Sequence, residues 1–119
     1  MNTKTTIEYK TEAQKPAYNG EVTAAQIETW KKNNPRGIFA VVDDNEKHIG
    51  YYREAYRADI NAALAQASNK KPLASVEAFG ELLWLGGSEV FTTDTPEWGG
   101  ASNILRQKMD GVKAKLVNL

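Results

Sequence analysis

Residues 37–52 read GIFAVVDDNEKHIGYY, and the fold is decided by how this stretch is read. Gly37 to Val42 and His48 to Tyr52 are both rich in β-formers. The intervening DDNEK is a short polar linker of hairpin type. The pattern predicts an antiparallel β-hairpin. Its first strand is continuously apolar, which predicts cover on both faces.

Upstream, Thr23 is followed three positions later by Gln26, the capping-box arrangement that satisfies free amides at a helix start. Val22 and Ile27 hold the two positions of a hydrophobic staple around the same cap. A helix is predicted from Ala24 to Asn33, with Ile27 and Trp30 on one face. Asn33 and Asn34 tolerate a left-handed ending, and Pro35 cannot continue the helix. Residues 1–20 are set apart as an N-terminal extension whose order is left open. Ile7 and Tyr9 alternate as in an edge strand or a loose arm, whereas residues 11–20, with Pro16, Asn19 and Gly20, read as loop.

Downstream of the hairpin the apolar period lengthens from two to nearly four. Tyr56, Ile60, Ala63, Leu64 and Ala67 mark one face of a helix ending near Asn69. A third helix is predicted from Leu73 to Leu85, with Val76, Phe79 and Leu83 inward and Gly86-Gly87 as its stop. The polar stretch SEVFTTDTPEWGG that follows allows a short strand at Val90 to Thr92. Trp98, Leu105, Val112 and Leu119 then recur every seven residues, with Ala101, Met109 and Leu116 filling the stripe. They predict a last helix from Glu97 or Ala101 to Val117, interrupted by Gly111 at a cost of about 1 kcal/mol relative to alanine. The expected fold is α+β: an N-terminal helix, an antiparallel hairpin and three further helices, packed as one small domain over residues 21–119.

Composition narrows the function. The chain has 119 residues, enough for one hydrophobic core, and it carries 15 basic and 15 acidic side chains. A neutral chain argues against nucleic acid, whose binders usually carry excess positive charge. There are no cysteines, which removes thiolate chemistry, disulfides and cysteine-held metals. No stretch approaches the ~18 apolar residues of a membrane helix, and MNTKTTIEYK lacks the apolar core of a signal peptide. The expectation is a soluble cytoplasmic protein with neither membrane nor nucleic-acid partners.

Candidate chemistry is sparse. His48 is the only histidine and has no second histidine or cysteine to complete a metal site. Asp43, Asp44 and Glu46 lack the ligand pattern of a calcium loop and suit a solvated hairpin tip. Gly86-Gly87 and Gly99-Gly100 lack the lysine and hydroxyl residue of a phosphate loop. Tyr51 and Tyr52 beside Arg53 and Arg57 suggest a base-stacking surface, which the neutral charge disfavours. No catalytic residue, cofactor site or metal site is assigned, and an enzyme is not expected. The remaining candidate is the last stripe: Trp98, Leu105, Met109, Val112, Leu116 and Leu119 form a protein-binding face, or they pack on the domain's own core. Arg106, Lys108, Lys113 and Lys115 make this end basic.

The order of segments resembles small tail assembly chaperone-like proteins of bacteriophages and prophages. The resemblance runs over residues 21–119: EVTAAQIETWKK, the hairpin ending in GYYREA, an alanine-rich helix, ELLWLGGSEV and a closing amphipathic helix. Thr23 through Trp30 resembles the opening helix, Tyr52 and Arg53 the end of the second strand, and Leu83 to Gly87 the apolar-Gly-Gly stretch before the last helix. The sequence departs from the pattern at Glu54-Ala55, where a proline is expected soon after the tyrosine-basic pair. The resemblance implies a holding role in the host cytoplasm, coating a tail component such as the tape measure protein during virion assembly. It implies no cofactor, and leaves self-association open. The alternative is another small phage- or prophage-encoded protein-binding module, for example an inhibitor of a host defence system.

Overall fold

The computed structural model describes residues 17–68, 70–111 and 114–119. The hairpin forms as its sequence predicts: β1 (Ile38–Val42) pairs antiparallel with β2 (Ile49–Arg53), in register from Ile38 opposite Arg53 to Val42 opposite Ile49. Its tip is closed by Asp43, whose Oδ1 accepts the backbone N–H groups of Lys47 and His48, each at 2.8 Å. Burial alone would raise the Asp43 carboxyl pKa, but these two bonds and the nearby His48 hold it below the ordinary value.

A third strand, β3 (Trp84–Gly87), pairs antiparallel with β2, giving the order β1-β2-β3. This corrects the expectation that the third helix runs to Leu85 and stops at the glycine pair. That helix ends at Leu83, and the glycines belong to the strand. The reason is close approach: a Cβ on Gly87 would lie 2.5 Å from the Ile49 carbonyl oxygen, and the residue sits at φ 132°, a conformation that suits glycine. The central strand is therefore β2, with four of its five residues buried, whereas β1 lies at an edge and exposes Ala40. Cover on both faces, expected for the first strand, belongs to the second.

Alternation along the strands divides the core in two. On one face Ile49 and Tyr51 pack with Ile38, Val42 and Leu85 beneath α1 (Ala24–Asn33), which contributes Ile27 and Trp30. The Trp30 and Tyr51 rings lie 5.3 Å apart. The helix begins as expected, with Thr23 Oγ1 accepting the Gln26 N–H at 3.2 Å. At its other end Asn34 Nδ2 donates to the Trp30 carbonyl at 2.8 Å.

The opposite face carries Val41 and Tyr52, covered by α2 (Arg57–Leu64), α3 (Ala74–Leu83) and α4 (Pro96–Asp110) through Ala63, Phe79, Leu83, Ala101 and Leu105. The architecture is thus helix, sheet, helices, an α+β fold. The start of α2 is set by Asp59, which accepts the Tyr56 N–H at 2.8 Å and binds Arg53 through two bonds of 2.7 and 2.8 Å. Between β3 and α4 the chain makes a 3₁₀ turn at Glu89–Phe91, where a short strand at Val90 to Thr92 is expected from sequence. Ser88 Oγ accepts the Val90 N–H, and the turn buries Phe91. Thr95 caps α4 by accepting the Trp98 N–H at 3.1 Å, and Pro96 takes the first helical position, where its missing N–H costs nothing.

The last helix is shorter than the sequence predicts. It ends at Asp110, with Gly111 at φ 67°, rather than at Val117. A residue expected as a mild interior defect instead terminates the helix.

Candidate protein-binding groove

The face of α3 next to its buried stripe and the start of α4 leave a groove of about 560 Å³ between them. Its apolar lining comes from the sheet, the 3₁₀ turn and both helices: Tyr52 on β2, Trp84 on β3, Phe91, and Leu73, Trp98 and Leu105 on the helical side. Glu77, Glu81 and Asp94 also line it, and among the described residues no lysine or arginine does.

Each wall follows from local sequence. In α3, Val76, Phe79 and Leu83 recur at the helical spacing and point into the core. Glu77 and Glu81, four apart, therefore share an adjacent face, which looks onto the groove. Gly80 lets α3 approach α4, because a Cβ there would lie 3.1 Å from Leu105 Cδ1. Trp84 stands edge-on to Tyr52, with ring centroids 5.2 Å apart and an angle of 75°. Phe39 stacks on Tyr52 at 5.3 Å and 13°. Burial pushes the Tyr52 hydroxyl pKa up to about 12.

The resulting surface is aromatic at the base, acidic in its charged groups, and only partly closed. Leu73 is 39% exposed and Trp98 is half-buried. Such a surface favours an apolar side chain flanked by cations.

The stripe predicted as a binding face is divided by the structure. Leu105 is buried and serves both the core and the groove, while Trp98 lines the groove. Met109 packs half-buried against the core. Val112 lies outside the described residues. Leu116 and Leu119 stand beyond the end of α4 and are exposed, so one continuous helical stripe does not form. The groove residues that the predicted binding stripe does not include are Tyr52, Leu73, Glu77, Glu81, Trp84, Phe91 and Asp94. The Glu77–Glu81 spacing is legible in sequence as an acidic helix face, but the strand and turn that complete the groove are not.

The remaining candidates do not assemble a reactive centre around this groove. His48 Nδ1 and Ser88 Oγ share a hydrogen bond of 2.8 Å, but Ser88 is engaged at the start of the 3₁₀ turn and neither residue lines the groove. Among the described residues, no group of three or more histidine, aspartate or glutamate side chains is placed to hold a metal ion. Among them, too, no helix is long and apolar enough to cross a membrane. A smaller hollow of about 300 Å³ lies on the other side of Phe91, with Val41, Ile104, Asp43 and Glu97 in its walls. Compared with protein-family models, curated proteins and solved structures, the chain has no significant match.

Proposed function

We propose that this chain is a non-catalytic protein-binding domain that grips an amphipathic helix of another protein in the groove between α3 and α4. The observation that carries this reading is the pairing of aromatic residues Tyr52, Trp84, Phe91 and Trp98 with the carboxylates of Glu77, Glu81 and Asp94 in one partly open groove. An apolar stripe from a partner fits the aromatic base, and flanking lysines or arginines meet the carboxylates. Binding of this kind needs neither cofactor nor nucleotide.

The order of segments seen in the sequence makes the specific reading a tail assembly chaperone-like protein of a phage or prophage. The partner is then a tail component such as the tape measure protein, held during virion assembly in the host cytoplasm. A long helical protein of that kind, before the tail tube surrounds it, offers apolar stripes that need temporary cover. The test is capture by the tagged chain from infected or lysogenic cells. A tail protein is expected with wild type and is lost in Glu77→Lys/Glu81→Lys. Capture of a host defence protein instead, or of no phage tail protein by a folded bait, overturns the assignment.

A further inference from the structure

We infer that the same groove is covered, when no client is present, by residues 114–119 of a second copy of this chain, so that the protein self-associates through its own client-binding surface. This rests on the groove being a protein-binding surface.

The segment reads AKLVNL and lies outside any helix or strand. Leu116 is 91% exposed, Val117 69%, and Leu119 is fully exposed. Three bulky apolar side chains within four residues stand in water, a pattern that favours cover by another surface. Among the described residues none supplies it: the groove beside α4 is lined by other side chains and the segment remains exposed.

Charge gives the pairing its direction. Among the described residues the groove offers Glu77, Glu81 and Asp94 without a cation, while the segment carries Lys115 without a carboxylate side chain. In extended form Lys115, Val117 and Leu119 fall on one side, because alternate side chains share a face. Two apolar groups and one cation then present themselves together, matching a groove whose base is aromatic and whose charged groups are acidic. The chain as a whole is neutral, with 15 charges of each sign, so two copies approach without net repulsion. The contact joins two different surfaces. It closes as a reciprocal dimer where the exchange is mutual, and otherwise builds larger assemblies.

The test is the mass of the full chain in solution, measured by light scattering or sedimentation over a range of concentrations without client. Wild type is expected to associate. Val117→Asp/Leu119→Asp, which alters the segment alone, and Glu81→Lys/Asp94→Lys, which alters the groove alone, are each expected to raise the dissociation constant at least about tenfold. Mixing the two variants is expected to restore one contact, since each keeps the half the other lacks. Circular dichroism melts confirm that both remain folded. A wild-type chain that stays monomeric at every concentration, or a segment variant that associates as wild type does, overturns the inference. Client capture by the segment variant separates the two claims: retained capture with lost association leaves the groove reading standing, and lost capture in the groove variant alone supports it.

Discussion

Gly80 of α3 faces Leu105 of α4 so closely that a Cβ on the glycine would stand 3.1 Å from Leu105 Cδ1. The contact fixes the separation of the two helices that form the groove, and Leu105 is 2% exposed there. A valine at this position overpacks the crossing, so Gly80→Val is expected to destabilise by about 1–3 kcal/mol. Gly80→Ala is expected to change stability by less than about 1 kcal/mol, because the gain in helix propensity offsets the tighter contact. Denaturant melts of both variants check this pair of values.

Trp30 is half-buried, with its ring 5.3 Å from that of Tyr51. Trp30→Ala is therefore expected to destabilise by less than the ~3–5 kcal/mol typical of a fully buried tryptophan, and still measurably. An unchanged midpoint would mean that α1 contributes nothing to the sheet it covers.

Asp59 is bound by Arg53 and by the Tyr56 amide, which together outweigh partial burial and hold its carboxyl pKa below the ordinary value. A depressed carboxylate contributes stability that is fully present above its unfolded pKa of about 3.9 and is lost as pH falls through the folded value. Unfolding free energy is thus expected to decline below about pH 4. Asp59→Asn is expected to flatten that acid limb and to cost about 1–3 kcal/mol at neutral pH, since Arg53 loses its charged partner. Equilibrium unfolding at several pH values measures both effects.

The two halves of the predicted last stripe are expected to behave oppositely. Leu105 is buried, and Leu105→Asp places a carboxylate in the core, with an expected loss above about 4 kcal/mol or outright unfolding. Leu116 is exposed, and Leu116→Asp is expected to move stability by no more than about 0.5 kcal/mol. Thermal melts of the two single variants decide the matter.

The elements set by local chemistry were legible in the sequence. The Thr23 cap, the length of α1 and the hairpin each follow from neighbouring residues. Less legible were the places where distant segments meet. Gly86-Gly87 reads locally as a helix stop, but it forms a strand because its backbone reaches Ile49 across the sheet. Seven-residue spacing runs through Gly111 without revealing that the helix ends there, because periodicity records which side chains share a face and not how far the helix continues. The groove shares this difficulty: its walls come from α3, β2, β3, the 3₁₀ turn and α4.

The most direct measurement is the affinity of the full chain for a lysine-flanked amphipathic helix of a tape measure protein, compared by calorimetry between wild type, Trp98→Ala and Glu77→Lys/Glu81→Lys. Loss of affinity of at least about tenfold in both variants, with melting temperatures near that of wild type, is the result that gripping in the groove requires. Undiminished affinity in both folded variants would contradict it.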